Sequence, residues 1–308
     1  MSLTLEENGT YPIAKVVDSD GDPYYVYLNT GMEEVKTKTK SKAKKSLATA
    51  KLDPYQILHV KAALETGLTI EELYKNLSLG PERGERMLEF KVEPGEKIEI
   101  LPSDKPERLY AAGPTGAGKT WVVAQYARNY HKLFPKNQII LFARQANDPA
   151  FKGLTREEIV LDAAEQEKHD RTLEDLAEEI KERPLQSYSN SLVIFDDVDN
   201  LMSKVLLKQI HSLNNDLMCN GRKQNINVAY IGHIMLNAHQ TKVVLNEASK
   251  VFFFSGTGAR GVTNFLKTYA EMEKGEIAKI KAIKDSRWIM LNRSNPRYVA
   301  TEKSIFLI

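Results

Sequence analysis

The hydrophobic rhythm of the chain changes three times from its amino end. Residues 11–28 place Tyr11, Ile13, Val16 and Val17 before an acidic turn, Asp18-Ser-Asp-Gly-Asp22, and a second apolar run, 24–27, after it. β-prone runs on either side of a Gly/Asp-rich turn predict a hairpin. The turn lacks the remaining ligands of an EF-hand loop and so reads as a turn, not a calcium site. Apolar positions then disappear, and six lysines fall between Lys36 and Lys45. Such a run serves as an arm for nucleic-acid phosphates, an import signal or a solvated linker. A helical spacing (Ile57, Val60, Leu64) follows Asp53-Pro54, and Thr69-Ile-Glu-Glu72 reads as a capping box for a second short helix. The pair has the outline of a helix-turn-helix, an outline most often unrelated to DNA reading.

From residue 97 the rhythm is strand, helix, strand. Apolar runs predict strands at 97–101, 108–112, 138–143, 158–161, 192–195, 226–232 and 251–254, and longer periodic stretches predict helices at 119–133, 172–182, 202–219 and 261–272. Short strands that do not alternate, several followed by a helix, imply an α/β fold. Its central sheet is mostly parallel and covered on both faces.

Residues 113–120 carry chemistry. Gly113-Pro114-Thr115-Gly116-Ala117-Gly118-Lys119-Thr120 follows an apolar strand pattern and opens a helical one. This is the P-loop context. The glycines let successive amides turn inward toward phosphate oxygens, and the next helix adds its positive end. Lys119 is expected at the β- and γ-phosphates of ATP, and the Thr120 hydroxyl on Mg²⁺. A carboxylate should answer from the end of another buried strand. Leu192-Val-Ile-Phe-Asp196-Asp197 supplies it, with Asp196 as the metal-side acid and Asp197 as the group that orients water. A further apolar strand, 226–232, ends at His233, so an added strand is expected between the two that carry the motifs. His233 is placed to sense the γ-phosphate. No Asn-Lys-x-Asp segment follows, which argues against a GTPase.

The remaining totals narrow the partners. With 43 basic and 41 acidic side chains the net charge is +2, so contact with nucleic acid must come from local patches, for instance the basic residues scattered through 259–284. The lone Cys219 forms no internal disulfide and suits a reducing compartment. No signal-peptide pattern opens the chain, and no apolar run approaches a membrane span. The expectation is a cytoplasmic protein with no membrane partner. It is organised as a small hairpin region (1–34), a basic linker (35–51), a short helical unit (52–96) and a P-loop domain (97–308), so that a small α+β appendage precedes the main fold.

Residues 97–308 resemble the genome-packaging ATPases of large DNA viruses, of the poxvirus type, in the FtsK/HerA class. The resemblance runs through the P-loop, Phe134-Pro135, Leu141-Phe-Ala-Arg144 leading to Asp148-Pro149, and Ile194-Phe-Asp-Asp197. It continues in Gly221-Arg222-Lys-Gln-Asn-Ile-Asn-Val228, Leu245-Asn-Glu-Ala248, Ser286-Arg-Trp288 and Pro296-Arg-Tyr-Val299. Residues 1–96 have no counterpart in it. The class implies a ring with ATP held between subunits, an arginine donated in trans (Arg222, with Arg260 in reserve), double-stranded DNA as the cargo and a capsid or portal-like component as partner. It also implies a host cytoplasm, viral-factory or virion-associated setting. Two departures stand out: the class usually carries glutamate where this chain has Asp197, and often glutamine where it has His233. The implied activity is ATP hydrolysis driving DNA translocation into capsids. The alternatives are a replication or recombination ATPase of helicase or initiator type, and a slowly hydrolysing switch or scaffold.

Overall fold

A computed structural model describes residues 2–7, 10–18, 21–29, 88–236, 241–254 and 257–308. The basic run Lys36–Lys45 and the helices expected from Asp53 and Thr69 lie outside these residues. The account below concerns the unit formed by Ser2–Leu28 with Leu88–Ile308.

Fourteen strands are seen among the described residues. Six form the parallel heart of the large sheet, in the order β11 (Lys250–Phe254), β6 (Arg108–Ala112), β10 (Ile226–Gly232), β9 (Ser191–Asp196), β7 (Gln138–Ala143) and β8 (Glu157–Val160). β10 does sit between the two motif-bearing strands β6 and β9. Every residue of β6, β9, β10 and β11 is buried. That is why these strands read as continuous apolar runs.

Beyond β11 the sheet continues antiparallel through β12 (Trp288–Asn292), β13 (Tyr298–Thr301), β14 (Ser304–Leu307) and β4 (Glu89–Lys91). This C-terminal meander was not among the expected strands, although its short apolar runs and the Arg-Ser-Asn-Pro turn at 293–296 carry the signal. β4 falls in the segment expected to be helical, 52–96. Phe90, its one buried side chain, pairs with Ile305 of β14. A second correction concerns β5 (Lys97–Ile100), expected as the first strand of the large sheet. It pairs instead with β2 (Ala14–Val17), in a small sheet of order β1 (Ser2–Thr4), β3 (Tyr24–Asn29), β2, β5. β2 and β3 form the anticipated hairpin.

The seven α-helices among the described residues are α1 (Lys119–Leu133), α2 (Ala163–Glu167), α3 (Leu173–Glu182), α4 (Lys204–Asn220), α5 (Lys242–Glu247), α6 (Ala259–Thr268) and α7 (Lys274–Ala282). One face of the large sheet buries Tyr110, Phe195, Val228 and Phe253 against apolar residues of α3 to α7. On the other face α1 crosses β6, β10, β9 and β7 and is itself covered by β5. Lys15 of β2 pairs with Glu99 of β5 at 2.7 Å, and Asn129 of α1 donates to the same carboxylate at 3.2 Å, fastening the small sheet to the helix.

Two buried charges lock the start of β6. Arg108, fully buried, donates to the last-turn carbonyls of α4, Leu217 at 3.1 Å and Met218 at 3.0 Å, and to Ile226 at 3.0 Å. A guanidinium thus caps a helix C-terminus inside the core. Burial, with Arg222 nearby, pulls its pKa down to about 10, so it remains charged at neutral pH. Beside it, Glu107 pairs with Lys250 at 2.6 Å and accepts from Tyr126 of α1 at 2.6 Å. Replacing Arg108 with methionine keeps the bulk but strands three buried carbonyls. We expect a loss of about 2–4 kcal/mol, read as a lower urea midpoint with an unchanged slope.

Candidate active site

The strand ends are level. Tyr110, Tyr230, Phe195 and Phe142 are register partners across β6, β10, β9 and β7. Their rings make a continuous row, with centroids 6.1, 6.2 and 5.1 Å apart. Each aromatic pair adds roughly 0.5–1.5 kcal/mol beyond simple burial. The row lies directly beneath the site, because Asp196 follows Phe195 and the P-loop begins three residues after Tyr110.

Above this row the P-loop turns back into α1. Gly116 and Gly118 take φ of 76° and 98°, and nothing stands within 4 Å of where their Cβ atoms would be. The left-handed backbone, not crowding, is what calls for glycine at both positions. Lys119 is mostly buried, and its Nζ donates to the Pro114 carbonyl at 3.0 Å, arching back over the loop. Burial lowers its pKa, opposed by Asp197 and Asp196.

The Thr120 hydroxyl donates to Asp196 Oδ1 at 3.3 Å, joining the start of α1 to the end of β9. Burial, and then the charge of Asp148, push the Asp196 carboxyl up to about 6. A hydroxyl and a buried carboxylate side by side are the hard oxygen donors that suit Mg²⁺. No three His, Cys, Asp or Glu side chains among the described residues converge as a protein-only cage.

Asp197 has φ of 55°, a left-handed conformation that aspartate tolerates. Its Oδ1 meets Nε2 of His233, just beyond the end of β10. The two residues singled out separately in the sequence therefore form one pair, partly exposed to solvent. Asp199 is committed elsewhere, accepting from the Tyr230 hydroxyl. The neighbouring Tyr110 hydroxyl donates to the Ile234 carbonyl at 2.5 Å.

Arg222 stands apart. It lies on the turn Gly221–Gln224, just ahead of β10, so it marks the opposite edge of the sheet from the P-loop. It is exposed and lines an open cleft of about 430 Å³ with Arg293, Arg297 and Glu247. Arg260 is in the first turn of α6, after the C-terminal end of β11. Two contributors went unassigned at the sequence level. Asp148 caps the turn Pro149–Phe151 through Ala150 N at 2.7 Å while its charge reaches Asp196. Thr257 donates to the Ala112 carbonyl at 3.1 Å. The Asp-Pro pair signals the cap; nothing local signals Thr257.

No helix among the described residues is long and apolar enough to cross a membrane. Comparison with known proteins adds kinship to this geometry. The AAA domain family model matches residues 105–238, which span both motif-bearing strands and β10. The uncharacterized protein V3 of the Sputnik virophage is 35% identical over 198 residues, covering 64% of this chain and 75% of that protein. Among solved structures, the genome packaging NTPase B204 of Sulfolobus turreted icosahedral virus 2, in complex with AMPPCP, is 13% identical. It aligns over 64% of this chain and 97% of its own, with a TM-score of 0.42. The cytoplasmic domain of the type VII secretion ATPase EccC from Thermomonospora curvata is 13% identical over 64% of this chain and 25% of its own, with a TM-score of 0.43. The chain is a P-loop ATPase that hydrolyses ATP, its residues 105–238 match the AAA domain model, and it belongs to one family with protein V3 of the Sputnik virophage.

Proposed function

We propose that this ATPase is a ring-forming motor that translocates double-stranded DNA, and that its cargo is a viral genome entering a capsid. The observation that carries the reading is the division of catalytic groups between opposite edges of one sheet. The P-loop, Asp196 and the Asp197–His233 pair share one edge, and the exposed Arg222 sits on the other. A site that needs a guanidinium is then completed by a neighbour packed head to tail, and repeated head-to-tail contacts close into a ring. Kinship with a virophage protein and the resemblance to packaging ATPases supply the cargo.

In this mechanism the backbone amides around Gly116 and Gly118, with Lys119, hold the β- and γ-phosphates. Thr120 and Asp196 would hold Mg²⁺, which would neutralise phosphate charge when bound. Asp197 accepts a proton from water as its oxygen attacks the γ-phosphorus and the bond to the β-phosphate oxygen breaks, releasing ADP. His233 holds Asp197 in place and faces the γ-phosphate. The neighbour's Arg222 stabilises charge on the equatorial oxygens. DNA is gripped mainly through backbone phosphates, so binding weakens steeply with salt.

The short Asp197 side chain favours one alternative, a nucleotide-dependent switch that turns over slowly. An ATPase assay with and without double-stranded DNA, run beside a sizing measurement, separates the two. DNA-stimulated turnover by an oligomer supports the motor. A monomer indifferent to DNA rules the motor out, and strand displacement without capsid components favours a helicase. Lys119→Ala tests the cradle: ATP binding should be lost and turnover should fall by about 10²–10³-fold. Undiminished turnover would move the nucleotide elsewhere. The setting expected for such a motor is the host cytoplasm or a viral factory, with a capsid or portal-like component as its partner.

A further inference from the structure

The P-loop edge has a second feature, on the side of β6 away from Asp196. A cavity of about 240 Å³ opens beside the ends of β11 and β12, walled by Phe254, Thr257, Ile283 and Ile289, with the exposed Lys284 and Arg287 at its mouth. Cavity and P-loop share a wall. Thr257 donates to the Ala112 carbonyl at 3.1 Å, immediately before the loop. A Cβ on Gly113 would stand 3.1 Å from Phe254 Cβ and 3.2 Å from Thr257 Oγ1, so a side chain there would push into that wall.

Strand order gives the cavity its meaning. Asp196 lies two strands from β6 on one side, and the cavity begins on the adjacent strand of the other. A nucleotide whose terminal phosphate faces Asp196 runs along the loop in the opposite direction, toward β11. We propose that this cavity is the nucleobase subsite of the ATPase, an assignment that rests on the phosphate-cradle reading above.

The chemistry of the wall fits a flat heteroaromatic base. Its hydroxyls are already committed: Thr257 also accepts from Phe254 N at 3.0 Å, while Ser286 donates to the Trp288 carbonyl at 2.7 Å and accepts from Glu302 N at 3.0 Å. The surface left for a ligand is therefore chiefly apolar, and the base is held by burial of its faces. At the mouth, Arg287 is paired with Glu302 at 2.8 Å and lies 5.8 Å from the Trp121 ring, which fixes a cation beside the first turn of α1.

Two plugs test the assignment, Ile283→Trp and Ala259→Trp, with Ala259 lining the cavity from the start of α6 and melting temperatures as the check on folding. Each is titrated with ATP and with inorganic tripolyphosphate, which has the phosphates but no base. ATP affinity should fall by about tenfold or more, with tripolyphosphate binding unchanged. Unaltered ATP affinity, or equal loss of both ligands, overturns the subsite. Photolabelling of the unsubstituted chain with 8-azido-ATP needs no variant. The label should fall within residues 257–289, and a label confined to other peptides overturns the assignment. Failure of the unsubstituted protein to bind either ligand would reject the phosphate cradle itself.

Discussion

Subunits carrying Arg222→Ala are expected to bind ATP as the parent does and to hydrolyse it about 10³–10⁵-fold more slowly, the range over which a trans arginine acts in NTPases. Position is the argument. Arg222 precedes β10, whereas the P-loop follows β6 and Asp196 ends β9, so on the proposed reading the side chain is placed for a neighbour's phosphates rather than its own. Among the described residues its side chain makes no hydrogen bond or ion pair, whereas Arg293 in the same cleft donates to the carbonyls of Leu245 and Ala248. Arg293 is built into the fold and Arg222 is left to act. Mixing variant and parent subunits gives the decisive readout. Activity should drop faster than the fraction of variant added, because each silent arginine disables a site on another chain. A linear dilution curve would remove Arg222 from catalysis.

The second large effect concerns Asp197. Asparagine matches its size but takes no proton, and turnover should fall by about 10²–10⁴-fold while nucleotide affinity holds. Activity within tenfold of the parent would relieve Asp197 of its role. Asp197→Glu, which restores the length usual in the FtsK/HerA class, should not speed turnover. The added methylene drives the carboxylate into the space where His233 meets it. The shorter acid and the histidine are two halves of one arrangement.

Much of this was legible in the sequence, for definite reasons. A parallel strand buried on both faces must be apolar throughout, so β6, β9 and β10 announced themselves, and the polar residues that end them mark the edge where ligands bind. The Gly116–Gly118 spacing encodes backbone angles directly. Partner choice was less visible. β5 has the same local pattern whether it joins the large sheet or the small one, and the decision rests on Lys15, Glu99 and Asn129, residues far apart in sequence. β4 was hidden for the same reason, since only Phe90 is buried and its partner lies at the far end of the chain. Asp197 and His233 were each recognisable, but their contact was not, because it depends on the register of β10 against β9.

The two phenols beneath the site have a mechanical consequence. Tyr230 holds Asp199, two residues past Asp197, and Tyr110 holds the carbonyl of Ile234, next to His233. Both rings are wedged into the core, so neither hydroxyl can drift without losing its bond. On the proposed reading, the loops bearing the water-activating pair are latched by these two bonds and move by releasing a phenol, a discrete step. Stepwise motion of that kind is what a machine that advances its cargo in discrete increments requires of the parts nearest its fuel.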